Sequence, residues 1–187
     1  MIDQNGYRLN VGIVITNKHG QLFWGKRVKA HGWQFPQGGV SAYETLEETM
    51  FRELAEEVGL AEKDVKVLAI TKRWLHYKLP THMRRPAQTP VCIGQKQKWF
   101  LLLLTGGDDK INLNAAEKPE FSNWRWVKYW EPLKQVVYFK RDIYSKVLTE
   151  FEPIIKSKVK AHHSKSSTAT IKILPVWRYL VKNFGRP

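Results

Sequence analysis

The chain of 187 residues is long enough for one domain with a sizeable core and too short for two ordinary ones. Its 43% hydrophobic and 26% charged content excludes a disordered chain, and no apolar run approaches the roughly 18–20 residues that span a bilayer. Against 17 Asp and Glu stand 31 Lys and Arg, a formal charge of +14 that points to a polyanionic partner, nucleic acid or a phosphate-rich substrate, or in the plainer reading to a solubilising surface.

In chain order, residues 7–15 read as a strand with alternation in its first half, Asn17-Lys18-His19-Gly20 as a turn, and Gln21 to Arg27 as the second arm of a hairpin. A Gly/Pro-rich stretch, Gly32 to Gly39, leads into a helix. Thr45 and Glu48 form its capping box, Met50, Leu54 and Val58 its buried stripe, and Gly59 its terminator. Strands are expected at Val65 to Thr71, Lys98 to Leu104 and Trp124 to Val127. A second helix is expected from Arg141 to Phe151, where Ile143, Val147 and Phe151 recur every four residues. Helices among antiparallel strands predict an α+β layered domain over residues 1–155. The remainder, 156–187, reads as a basic tail: a flexible linker from Lys156 to Thr170, then a short docking helix near Pro175 that carries Trp177, Leu180 and Phe184. The N-terminal Met1-Ile2-Asp3-Gln4 lacks the features of a secretory signal, and a single cysteine, Cys92, fits a reducing cytoplasm. Its neighbours Val91 and Ile93 predict a small buried side chain.

The chemistry concentrates in residues 38–60. Glu53, Glu56 and Glu57 stand at i, i+3 and i+4 on one helix, so three like charges crowd one region beside the apolar stripe. A surface helix gains nothing from such stacking. A hard divalent cation resolves it, since Mg²⁺ takes carboxylate oxygens and keeps positions open for phosphates. An isolated Glu-x-x-Glu-Glu would still read as a solvated acidic face, but here a wider pattern surrounds it.

That pattern resembles the catalytic box of the Nudix hydrolase family: Gly, five residues, Glu, seven residues, Arg-Glu, an apolar residue, any residue, Glu-Glu, any residue, Gly, an apolar residue. Gly38, Glu44, Arg52, Glu53, Leu54, Glu56, Glu57, Gly59 and Leu60 fill it without a departure. Seven fixed identities would coincide by chance on the order of 10⁻⁹ per start position. The resemblance implies a mixed β-sheet sandwiched between helices, and hydrolysis of a pyrophosphate linkage by water with Mg²⁺, or another divalent ion such as Mn²⁺ or Zn²⁺. It makes Glu56 and Glu57 metal ligands and Glu53 either a ligand or the general base. Glu44 and Arg52 become an ion pair that locks the glycine loop to the helix, with Gly38 and Gly59 as structural positions.

Further segments are similar to the bacterial RNA pyrophosphohydrolase branch of that family: Gly6 to Val14, Trp33-Gln34-Phe35-Pro36-Gln37-Gly38-Gly39, Tyr77-Lys78-Leu79-Pro80, Cys92 to Phe100, Pro119-Glu120-Phe121 and Val136 to Arg141. The likeness covers about residues 3–151 and fails in the tail. It implies removal of pyrophosphate from a 5′-triphosphate RNA end, or of phosphate from a 5′-diphosphate, leaving the monophosphate that triggers mRNA decay. Glu120 would complete the metal site. Arg8, Arg27, Lys98, Lys140 and Arg141 supply cations for phosphates, Phe139 a stacking surface for a base, and Tyr77 and Gln95 polar contacts. The plainer readings stay open beside these: Phe139 as core, Tyr77 as packing, Glu120 as a loop charge, Arg27 as a strand-edge charge. Gly32 stands where those enzymes tend to carry a serine, and His31 beside it is a lone loop histidine. Two other functions compete, hydrolysis of dinucleoside polyphosphates or nucleotides, and RNA binding without catalysis. The intact glutamates speak against the second.

Overall fold

The computed structural model describes residues 1–28, 32–84 and 90–170. Strand β1 (Tyr7–Thr16) turns through Asn17 to Gly20 into β2 (Leu22–Arg27), the antiparallel hairpin expected from the turn residues. Two short strands follow, β3 (Trp33–Gln34) and β4 (Gln37–Gly39), and then helix α1 (Leu46–Val58). Thr45 Oγ1 accepts from Glu48 N–H at 3.2 Å while the Glu48 carboxylate accepts from Thr45 N–H at 2.7 Å, and Gly59 closes the helix in the left-handed region at φ 72°. Strands β5 (Val65–Ile70), β6 (Leu75–Lys78), β7 (Gly94–Leu104) and β8 (Phe121–Val127) complete the sheet, before a short α2 (Pro132–Gln135) and the long α3 (Arg141–Thr170).

All eight strands join one mixed sheet along the order β3-β2-β1-β7-β5, with β4 on β1, β6 on β7 and β8 on β2. The central pair, β1 and β7, is parallel over ten residues, so it is covered on both faces and accordingly apolar along most of its length. Val11, Ile13, Ile15, Phe100 and Leu102 pack under Met50, Leu54 and Val58 of α1. On the other face Val14, Trp24, Trp99 and Leu101 pack under Ile143, Tyr144, Val147, Leu148 and Phe151 of α3. The result is the helix–sheet–helix sandwich expected for the fold class.

Three departures from the sequence reading have plain causes. Strands β3, β4 and β6 are too short to show a period, and β7 begins four residues early because its polar start, Gly94 to Gln97, pairs with β6, with Gln95 lining a cavity. Helix α3 does not stop at Phe151 but runs through the stretch expected to be a flexible linker. After Pro153 nothing up to Thr170 breaks a helix, and Ile155 (buried) and Val159 (half-buried) continue the stripe of Val147 and Phe151 against the turn at Gly20. The docking segment expected from Pro175 lies outside the described residues. Among the described residues no helix is long and apolar enough to cross a membrane.

Candidate active site

Strand β4 carries the glycine loop into the sheet, with Gly39 opposite Asn10 and Gly38 opposite Val11. A Cβ on Gly38 would overlap the Glu53 carboxylate, which Arg52 pins, so that position demands glycine, while one on Gly39 would displace the end of the Arg8 side chain. Arg52 ties this loop to α1. Its Nε and Nη2 donate to Glu44 at 2.7 and 3.0 Å, Nη2 also donates to the Gly39 carbonyl at 3.1 Å, and Nη1 donates to Glu53 at 2.7 Å. The fork pairs two carboxylates with one cation and fixes Glu53 beneath the loop.

Beside this lock opens a cavity of about 1020 Å³. Glu53 and Glu57 line it from α1, Glu120 from the approach to β8, Arg8 from β1, Arg27 from the end of β2, and Lys140 from the turn before α3. Arg27 Nε donates to Glu120 at 3.0 Å. Lys140 is buried, and its Nζ donates to Gln34 Oε1 at 3.0 Å and Gln37 Oε1 at 3.1 Å. The Gln37 backbone N–H donates to Glu57 Oε2 at 3.2 Å, and Tyr77 OH donates to Gln95 Oε1 at 2.6 Å. Phe139 lies tilted against Tyr77, ring centroids 5.8 Å apart.

Desolvation dominates the electrostatics. Burial pushes the Glu57 carboxyl well above the ordinary carboxylate range, and the charges of Glu53 and Glu120 add to it against the Gln37 N–H and Lys140. Burial also raises Glu53, although the Arg52 ion pair pulls the other way. Lys140 shows the mirror effect: burial and the Arg27 charge lower it to about 8, partly opposed by Glu120 and Glu57.

The structure therefore brings together Glu53, Glu57, Glu120, Arg8, Arg27, Lys140, Tyr77, Gln95 and Phe139. It does not bring Glu56, Lys98 or Arg141 to the cavity lining. Glu56 and Glu57 are consecutive and so point about 100° apart on a helix. Glu56 is left exposed, 3.4 Å from Arg52. Lys98 turns its ammonium to the carbonyls of Thr71 and Lys72, at 2.8 and 3.1 Å, and Arg141 is exposed. Cys92 is half-buried and lines the cavity instead of the core, and its neighbour Val91 is exposed. Gly32 reaches the lining at φ 125° with open space around it, and His31 lies outside the described residues. Sequence reading missed Asn10, Trp33, Gln34 and Gln37 as lining residues. For Asn10 the available signal was a polar side chain two residues after Arg8 in a strand that is otherwise mostly apolar, and for Trp33, Gln34 and Gln37 the short strands carried none.

Among the described residues no three His, Cys, Asp or Glu side chains converge into a ready-made metal cage. Each cavity carboxylate instead leans on a donor of its own: Glu53 on Arg52, Glu120 on Arg27, Glu57 on the Gln37 N–H. The donor set is carboxylate oxygen throughout, and burial, with the charges of Glu53 and Glu120 adding to it, disfavours the Glu57 carboxylate in a way that a hard divalent cation would relieve, so these residues fit such an ion. A glycine loop locked to a helix that turns carboxylates into a roomy, cation-lined cavity fits a hydrolase of phosphoanhydride bonds. Residues 6–147 match the NUDIX domain, and the chain belongs to that family, whose members generally act with divalent metals. Within it, the chain is 57% identical over 157 residues to the RNA pyrophosphohydrolase of Escherichia coli K12, covering 84% of this chain and 89% of that protein. The RNA pyrophosphohydrolase of Proteus mirabilis is 57% identical over 155 residues, covering 83% and 88%. Among solved structures, an Ap4A hydrolase of C. elegans in a binary complex (TM-score 0.60, 19% identity, 80% of this chain and 98% of that one) shares the fold. So does the E. coli dihydroneopterin triphosphate pyrophosphohydrolase (TM-score 0.60, 18% identity, 77% and 98%).

Proposed function

We propose that this chain removes pyrophosphate from the 5′-triphosphate end of RNA, or phosphate from a 5′-diphosphate, and leaves a 5′-monophosphate. One observation carries the reading: a single cavity joins the box carboxylates to Arg8, Arg27 and Lys140 and to the aromatic pair Tyr77–Phe139. Cations suit a phosphate chain, and aromatic faces suit an unpaired base at its end. The 57% identity to curated RNA pyrophosphohydrolases supports RNA as the substrate class.

Glu53, Glu57 and Glu120 would hold the divalent cation, Mg²⁺ in the first instance, with Glu56 completing the set from the solvent side of the same helix turn. When bound, that ion neutralises phosphate oxygens and lowers the pKa of a coordinated water. The chain does the rest. Arg8 and Arg27 hold the phosphate chain in register, and Phe139 stacks the adjoining base. Where Glu53 acts as the base instead of a ligand, Arg52 occupies its Oε1 and Oε2 takes the proton of the attacking water. Lys140 stabilises the charge that builds on the departing pyrophosphate.

The test compares pyrophosphate release from 5′-triphosphorylated RNA with cleavage of a dinucleoside tetraphosphate, both with Mg²⁺. The expected result is the higher kcat/KM on RNA, lost in Glu57→Gln. Preference for the dinucleotide would make it the main substrate, and no metal-dependent release from either would leave only RNA binding.

A further inference from the structure

Tyr77 of β6 and Gln95 of β7 line the cavity, so the residues that alternate with them, His76, Lys78 and Lys96, stand on the opposite face of the sheet. His76 pairs with Lys96, and Gly94 lies between Lys78 on one side and Tyr7 of β1 on the other. The Tyr7 ring reaches over Gly94, 2.9 Å from where a Cβ would stand, and meets His76 edge-on with centroids 5.1 Å apart. Lys96 Nζ sits over the Trp74 ring, 5.9 Å from its centroid. Lys98, next on the same face, gives two N–H groups to the carbonyls of Thr71 and Lys72 and keeps a third. Helix α1 covers this face further along, from Val11 and Phe100. Here His76 and Lys78 are exposed, and Tyr7, Trp74, Lys96 and Lys98 are half-buried. Asp3, 3.3 Å from Lys96, sets one negative charge against those of the lysines.

Cations with aromatic faces between them fit a strand of nucleic acid: the phosphates take the charge, and every base has a face to stack. A surface built for solubility alone gains nothing from setting Trp74 and Tyr7 among lysines. The surface also continues the cavity, since Arg8 follows Tyr7 and Leu79 follows Lys78, and both Arg8 and Leu79 line it. Resting on the RNA reading above, we propose that this face binds the single-stranded RNA beyond the 5′ end held in the cavity. Phosphates lie at Lys78, Lys96 and Lys98, and bases stack on Tyr7, Trp74 and His76. An acidic polypeptide would also meet the lysines, but it would leave the rings without a planar partner. The surface therefore acts on KM for RNA long enough to reach it, and leaves the chemistry in the cavity unchanged.

The test uses the full chain with Mg²⁺ and two 5′-triphosphorylated substrates, a trinucleotide and an unstructured strand of about 12 nucleotides. The wild type should show a KM about 30-fold lower on the longer strand, with equal kcat. Lys78→Gln combined with Lys96→Gln should raise KM on that strand about 10-fold and flatten its salt dependence by about 0.7 per lysine. Trp74→Leu should also raise it about 10-fold, and Trp74→Phe, which keeps an aromatic face, should recover most of the loss. KM on the trinucleotide should stay at the wild-type value in every variant. Equal KM for the two lengths in the wild type overturns the proposal and leaves the RNA reading intact. So does a loss of the same size on both lengths, which would place these residues in the service of the cavity, and so does a Phe variant no better than Leu. A lysine variant that handles both strands like the wild type but loses binding to polyglutamate would assign the surface to an acidic protein, and overturns the proposal too. If neither strand is cleaved, the RNA reading fails by itself. Affinity for the longer strand with a 5′-hydroxyl then decides the surface: weaker binding by the double variant supports it, and equal binding overturns it.

Discussion

Replacing Lys140 with Met separates what its buried ammonium does for the fold from what it does for the substrate. The side chain is 6% exposed and its pKa is lowered to about 8 from 10.5, mainly by burial. Since the charged form is disfavoured in the fold, the folded chain is penalised below pH 8, where Lys140 is protonated folded and unfolded alike. That penalty is about 3 kcal/mol, and it is relieved as pH rises from 8 towards 10.5, where only the unfolded chain still holds the proton. The Met variant escapes the penalty but leaves Gln34 Oε1 without its donor, a loss of about 1–3 kcal/mol, so the net gain near pH 7 is about 1 kcal/mol. For a domain of this size that raises Tm by roughly 2–4 °C at pH 7. At pH 9.5 the wild type has recovered about 2 kcal/mol, and the order of stability reverses. Thermal melts of both proteins at pH 7 and 9.5, with a chelator present, give the comparison, and titrations common to both cancel. A stability difference independent of pH would refute the desolvated-ammonium account. For 5′-triphosphorylated RNA at pH 7, kcat should fall about 10-fold in the variant with KM little changed, the loss of one charge-assisted contact to the departing pyrophosphate.

Glu57→Gln should lower kcat by about three orders of magnitude while Tm holds or rises, because burial already disfavours its charge; turnover and a melt on one preparation check both. Phe139→Ala should raise KM for 5′-triphosphorylated RNA by one to two decades, the loss of a stacked base at roughly 1–3 kcal/mol, with a smaller effect on a dinucleoside tetraphosphate; equal effects would make Phe139 a core residue. Ending the chain after Ser157 removes Val159 from its place against Gly20, so Tm should drop a few degrees. The same cut removes Lys158 and Lys160 and should flatten the salt dependence of RNA binding by about 0.7 per lost phosphate contact, with turnover at saturating RNA retained.

What the sequence made legible follows from the range of the forces involved. The cap at Thr45, the stop at Gly59, the stripe of Met50, Leu54 and Val58, and the turn at Gly20 are all set by neighbours within four residues, and all appear in place. The Arg52–Glu44 pair was implied by the family resemblance and not by local spacing, and the two side chains meet at 2.7 Å. The places of Lys98 and Glu56 were not legible. Whether a charge enters a cleft depends on what the neighbouring strand or turn offers, here the carbonyls of Thr71 and Lys72 for one and solvent for the other. Lys140 and Gln37 are far apart in sequence yet meet at 3.1 Å, and the packing of α3 on the sheet brings them together. The helical course of residues 156–170 was hidden for the opposite reason: their composition is polar, while Ile155 and Val159 continue the buried stripe.

The pairing of Arg27 with Glu120 links the two halves of the cavity. At 3.0 Å the two charges largely neutralise each other, so neither presents its full charge to a ligand while the other lacks a partner. On the proposed roles, a cation at Glu120 would release Arg27 for phosphate, and a phosphate at Arg27 would release Glu120 for the cation. By linkage each then raises the affinity of the other by the same factor, expected in the range of about 5- to 150-fold. Affinity for a non-hydrolysable triphosphate analogue, measured with and without Mg²⁺, gives that factor directly. Glu120→Gln frees Arg27 at the outset, so in this variant metal-free affinity for the analogue should rise and the enhancement by Mg²⁺ should shrink. An enhancement of wild-type size in Glu120→Gln would place the coupling in direct contact between ion and phosphate, and the Arg27–Glu120 pair would then have no part in it.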